Sequence, residues 1–427
     1  MRFRHRDGTA VHLGYLADVR TAGSLEEIVG RLAPYADPVR RAASAPVVGL
    51  GLWLPADTAA ALAADPGAVA RLRRELTARG LETVTLDGSR HRVFHAPVVK
   101  RAVYYPDWSE PARLAYTLDL ARILARLLPD DAARGSVSTL PLAWRTAWSR
   151  TRMAAAMRQL DALAAGLRRI AAETGRIVRV AVEPEPGCVA ATTGQAVELL
   201  KDVDHDWIGL CVDACHLAVA HEDPGGAVAR LLRAGIPVVK VQASHALQAA
   251  DPADPRVREA LAALTDPRFL RQTTEAAPGG GGGAPGDRPV GGAPGDRHLS
   301  LGSDDLATAL AGALPARTPW RIHHHVPLHE EPAAPLSSTR PVLRDTLRAL
   351  FAEDRALTDH VEVETATWSA LPAHHRPTGE SGPAGAVAAE LAWAARELTG
   401  LGLTPDDGRR TSPAAPQSPT EERTTHP

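Results

Sequence analysis

A chain of 427 residues, 44% apolar and 23% charged, has the composition of a globular protein, and a large α/β barrel can absorb that length in one unit. Its formal net charge of −2 gives no broad electrostatic reason to bind nucleic acid or an anionic membrane. Three cysteines, Cys188, Cys211 and Cys215, are too few for a disulfide framework, and Cys211 and Cys215 do not form a CxxC motif. The opening MRFRHRDGTA lacks the apolar core of a signal peptide, and no window holds about 18 uninterrupted apolar residues. The expectation is a cytoplasmic protein with no membrane insertion. Lysine occurs only at Lys100, Lys201 and Lys240.

In chain order, apolar β-rich runs predict strands at VHLGYLADV (11–19), VVGLGLWL (47–54), LETVTL (81–86) and GSVSTLPL (135–142). Four more follow at IVRVAVEP (177–184), IGLCVD (208–213), PVVKVQAS (237–244) and HVEVET (360–365). Helical spacing fills the intervals, most clearly over 151–175. Strands apolar on both faces and alternating with helices indicate a parallel sheet buried under helices, and eight such units indicate a (β/α)8 TIM barrel, here over 8–402.

A surplus strand, WRIHHHVP (320–327), lies in a long insertion between the seventh and eighth strands. Within that insertion 276–298 is Gly/Pro-rich, carries GAPGDR twice, and is expected to be flexible. A helix at roughly 385–400 would close the barrel, and the polar, Pro-rich tail 403–427 is expected to be disordered.

Active sites of such barrels sit at the carboxyl ends of the strands. There the fifth strand offers Glu183 and Glu185, the sixth Asp213 and His216, and the seventh Lys240 and Gln242. The eighth offers Glu362 and Glu364 on one face, and the surplus strand His323 and His325 with the same spacing. Carboxylates and imidazoles converging from separate strands suit a divalent cation (Mn, Mg, Zn or Co), which would also compensate the otherwise costly Asp213. Blander assignments stand beside these. Asp213 precedes a helix and can cap it, one of Glu183 and Glu185 can be a solvated loop carboxylate, and Lys240 can pair with a neighbouring strand's carboxylate or face a pocket. The cysteines are expected to be small packing residues.

Val182-Glu183-Pro184, Asp213-Ala214-Cys215-His216 and Glu364-Thr365 resemble the metal-site pattern of the xylose-isomerase-like TIM barrels. That group includes sugar isomerases, ketose 3-epimerases and the endonuclease IV type of repair enzyme. The resemblance implies a ligand set including Glu183, Asp213 and Glu364, with Gln242 where a seventh-strand His is expected. Either Gln242 ligates through its amide oxygen, or His323 or His325 takes that place.

Longer strings resemble the metabolite traffic protein EboE family: HLGYLADV, GLGLWLP, VFHAPVVKRAVYYPDW, GSVSTLPL, VEPEPGC, CVDACHLAVAHED, GIPVVKVQASHAL, RIHHHVP and HVEVETATWSALP. In that family Arg271 stands where a His is usual, and the GAPGDR repeats are an addition. The resemblance implies a small-molecule metabolite and, as partners, other proteins of the same operon, which include a prenyltransferase-like membrane protein and a TatD-like hydrolase.

The first functional expectation is a metal-dependent isomerase or epimerase on a small polyhydroxylated or keto metabolite. Glu183 and Glu364 would exchange a proton, His216 would orient a hydroxyl, and Lys240, Gln242, Glu185 and Glu362 would contact substrate. The alternatives are a non-catalytic metabolite carrier using the same pocket, and an endonuclease IV-like phosphodiesterase, which the near-neutral charge disfavours.

Overall fold

Eight of the apolar runs become eight parallel strands: Ala10–Leu16, Val48–Trp53, Leu81–Glu82 continued by Thr85–Asp87, Gly135–Thr139, Val178–Val182, Ile208–Asp213, Val238–Ala243 and His360–Val363. Each pairs with the next, and the first pairs with both the second and the eighth, which closes the barrel. This computed structural model describes residues 1–17, 23–92, 100–266, 269–277, 300–364 and 382–406. The GAPGDR repeats (within 278–299) and most of the expected tail (407–427) lie outside the described residues.

The second, sixth and seventh strands are buried at every position, because one face fills the barrel and the other packs on helices. Helix Arg150–Thr174 shows how sequence sets an outer element. Ser149 caps it by accepting from the Arg152 amide, and Gly175, at φ 68°, ends it in the left-handed region. Between them Leu160, Leu163, Leu167 and Ile170, three or four residues apart, form the buried stripe.

The surplus run is not a barrel strand. Trp320–His325 is the centre of a separate antiparallel sheet whose other strands are Ser300–Ser303, Thr273–Ala276, Ala246–Ala249 and Ser337–Ser338. Much of the insertion therefore folds, around a small apolar cluster including Leu247, Leu261, Trp320 and Ile322. The sheet docks on helix Ala214–Val219, whose Val219 and Ala218 carbonyls accept from Thr274 Oγ1 at 2.5 Å and Arg321 Nη1 at 2.9 Å.

At both ends the folded unit exceeds 8–402. Arg2–Arg4 pairs antiparallel with the first barrel strand and with Thr404–Pro405, and Leu403 is buried. Residues 403–406 therefore correct the expectation of disorder from 403. Among the described residues no helix is long and apolar enough to cross a membrane.

Candidate metal centre

The sixth strand ends in Asp213, and the backbone turns there into helix Ala214–Val219. Asp213 Oδ1 accepts from the His216 amide at 2.8 Å and from Ser244 Oγ at 2.8 Å, so Asp213 does cap the helix. One turn on, the His216 ring reaches the end of the fifth strand, with Nδ1 3.0 Å from the Pro184 carbonyl. A carbonyl only accepts, so Nδ1 carries a proton, and in the neutral ring Nε2 holds the lone pair.

The second sheet delivers the other imidazoles. Pairing of Thr273 with Ile322 sets Gln272 opposite His323, and the His323 amide donates to the Gln272 carbonyl at 2.8 Å. His323 and His325 share one face, while His324 turns away to the Arg271 guanidinium. His323 Nε2 then lies 3.3 Å from His216 Nε2 and 3.3 Å from His325 Nε2. Its Nδ1 donates to Gln272 Oε1 at 2.9 Å. Burial holds the His323 pKa well below the ordinary range and that of His325 at about 4, so both rings are neutral near pH 7.

Each pair of these histidines meets a further donor. Among the described residues, Cys215 with His323 and His325, Glu185 with His216 and His323, and Asp213 with His216 and His325 form three groups. Within each group the ligand atoms lie within 4.8 Å of one another. Neutral imidazoles backed by carboxylates are the donors a borderline divalent cation takes, and tetrahedral ligands at a Zn–N length of about 2.0–2.1 Å stand about 3.3 Å apart. The residues present fit such an ion.

The remaining candidates are placed as follows. Glu183 Oε1 lies 3.8 Å from His216 Nδ1, and burial, reinforced by the Asp213 and Asp87 charges, raises the Glu183 pKa well above the carboxylate range. Burial also lifts Glu364, to about 7. Neither belongs to the three groups. Glu185 does, and it accepts from the Tyr104 hydroxyl at 2.6 Å. Lys240 and Glu362 are paired at 2.5 Å with 0% exposure of either side chain, so they face each other in the barrel rather than a pocket. Gln242 is buried between Asp213 and Glu362 in strand register, and its Oε1 has no hydrogen-bond partner among the described residues.

Sequence reasoning missed Gln272, Tyr104 and Ser244, because only strand pairing and loop closure bring them here. Cys215 was visible inside Asp-x-x-His and was read as packing; it does pack, beside Ala218 and Val219, while also standing near His323 and His325.

A closed (β/α)8 barrel with imidazoles and carboxylates at the strand ends defines the class. The chain belongs to the xylose isomerase-like TIM barrel family, whose profile matches residues 39–312. Similar solved structures include a xylose isomerase-like TIM barrel protein from Mycobacterium smegmatis in complex with magnesium. It is 12% identical, with 93% of this chain and 99% of that chain covered and a TM-score of 0.47. An L-ribulose 3-epimerase is 16% identical over 54% of this chain and 69% of its own, with a TM-score of 0.38. The 3-keto-D-glucoside 4-epimerase of E. coli is 14% identical over 54% and 79%, with a TM-score of 0.34. No protein of curated function matches the chain in sequence.

Proposed function

We propose that this protein is a divalent-metal-dependent isomerase or epimerase acting on a small polyhydroxylated or keto metabolite. His216, His323 and His325 hold the cation, with Asp213 or Glu185 completing its shell. One observation carries this reading: His216 and His323 each commit Nδ1 to an oxygen acceptor and turn Nε2 toward the other across 3.3 Å. In neutral rings two lone pairs so placed repel unless a cation lies between them.

Such a cation supplies Lewis acidity toward adjacent substrate oxygens, which acidifies the carbon beside a carbonyl. Glu364, with its pKa near 7, is poised to take a proton from that carbon and return it. Glu183, whose pKa burial and the Asp213 and Asp87 charges raise well above the carboxylate range, serves as the partner acid. They come from the eighth and fifth strands, on either side of the strands that carry Asp213 and Gln242. The resemblance to the EboE family supports a metabolite that is processed or exported, in the cytoplasm, with proteins of the same operon as partners.

A second reading, a metabolite carrier without catalysis, is favoured by Gln242 at the seventh-strand position where a His is expected. Metal content of the full chain, together with deuterium exchange into keto sugars in heavy water, separates the two. The enzyme reading expects near-stoichiometric Zn, Co or Mn, lost in His216→Ala and His323→Ala. It also expects exchange that Glu364→Gln abolishes without loss of metal. Metal without exchange on any substrate leaves the carrier. Failure to take up any of these cations, or Mg, sinks the metal centre.

A further inference from the structure

We infer that Gln272 is a positioning residue that fixes His323 as its Nδ1–H tautomer and turns the Nε2 lone pair onto the candidate metal centre. The inference rests on the metal-centre reading for its purpose, but its geometry stands alone. Gln272 Nε2 faces three oxygens: Pro186 O at 3.1 Å, Glu185 Oε1 at 3.2 Å and Tyr104 Oη at 3.3 Å. The Pro186 carbonyl can only accept, and Tyr104 already gives its proton to Glu185 at 2.6 Å. The edge of the amide facing them is therefore the NH2 group. Flipping the amide would set its oxygen against all three.

The opposite edge is then fixed as Oε1, an acceptor, 2.9 Å from His323 Nδ1. His323 must donate there, so its proton is on Nδ1 and Nε2 is bare. Without that acceptor the ring is free to protonate Nε2, the atom 3.3 Å from both His216 and His325, and a protonated Nε2 cannot ligate. The same amide and Tyr104 hold Oε1 of Glu185. The backbone is bent to this end. Arg271, one residue earlier, has φ 51°, a left-handed conformation that a non-glycine residue adopts only when its surroundings impose it. Cross-strand register then sets Arg271 beside His324 on one face and Gln272 beside His323 on the other.

The test uses the full-length protein, metal-free, with 15N-labelled histidine. Long-range proton–nitrogen correlation reads each tautomer, His323 being assigned by the signals lost in His323→Ala. Wild type is expected to show Nδ1–H at His323. Gln272→Met, close in shape but without donor or acceptor, is expected to lose that preference, and Gln272→Glu, which keeps an acceptor, to retain it. Zinc affinity, by competition with a chromophoric chelator at a temperature where both metal-free proteins are folded, is expected to fall roughly 10–100-fold in Gln272→Met. An Nδ1–H proton that persists in Gln272→Met, or an Nε2–H proton in wild type, overturns the proposal. An Nε2–H proton in wild type overturns it even if Gln272→Met does not fold. If wild type binds no zinc, the metal-centre reading fails while the tautomer comparison still decides the role of Gln272.

Discussion

Glu364 is a carboxyl whose charge the fold disfavours, since burial lifts its pKa from 4.5 to about 7. Between those values the native state holds a proton that the unfolded chain has released. Stability is therefore expected to fall as pH rises from about 4.5 to 7, by at most about 3 kcal/mol, and by less because Glu364 is only partly buried. Glu364→Gln cannot ionise, so urea unfolding of this variant at pH 5, 6, 7 and 8 should lack that slope. The cost has a use. A base with pKa near 7 is half available at neutrality, and proton exchange should rise on an alkaline limb with an apparent pKa near 7. If the slopes of wild type and Glu364→Gln superimpose, the carboxyl is not perturbed. Asp213 illustrates the opposite economy, because one oxygen caps a helix while the residue still belongs to a donor group.

At the scale of strands, the Lys240–Glu362 pair links the seventh and eighth strands through the barrel interior, and Gly51 on the second strand makes room for it. A Cβ on Gly51 would stand 1.6 Å from Glu362 Oε1. Burial alone would lower the Lys240 pKa, but the adjoining Glu362 carboxylate, with Cys211 and Asp87, holds it above the usual range, so the lysine stays charged. Removing either partner, as in Lys240→Met or Glu362→Gln, is expected to cost about 3–5 kcal/mol in urea unfolding by stranding the other charge. Removing both with Lys240→Met and Glu362→Leu should cost less than the two single losses summed. Gly51→Ala should cost about 1–3 kcal/mol through overpacking. Additive losses from the two single variants would show that the charges are not paired. These strands also mark what the sequence makes legible. Period and apolarity place eight strands and show that Lys240 shares a face with Gln242, and Glu362 with Glu364. They do not show depth along the barrel axis, so the sequence leaves Lys240 open between a pocket and a neighbouring strand's carboxylate, and the fold pairs it with Glu362. The inserted sheet was legible only as its His-rich strand, because Ala246–Ala249, Thr273–Ala276 and Ser300–Ser303 are four residues each and acquire meaning only by pairing.

Over the whole molecule, the barrel divides its work between two ends. The mouth gathers titratable groups at the expense of stability, and the floor is closed by both ends of the described chain. Arg2–Arg4 lies against the first strand, with Arg2 bound to Glu82 of the third strand at 2.9 Å and to Asp131 at 2.5 Å. Thr404–Pro405 pairs on its outer side, the Asp406 amide donates to the Arg2 carbonyl at 2.9 Å, and the Asp406 carboxylate pairs with Arg4. Leu403, 1% exposed, anchors the turn into this strand. Its burial alone contributes roughly 1.5–3 kcal/mol. A chain ending at residue 402 should therefore melt several degrees lower than one ending at 406, at roughly 2–4 °C per kcal/mol for a large domain. The chain ending at 406 should match the full protein. Calorimetry on the three lengths checks this, and equal midpoints for 402 and 406 would mean that the terminal strand holds nothing together. Because the clamp lies at the amino-terminal ends of the strands and the histidines at the carboxyl-terminal ends, zinc affinity should be the same for all three lengths at a temperature where each is folded. A drop in affinity on removing 403–406 would mean that the floor sets the geometry of the mouth, and that the two ends are not independent.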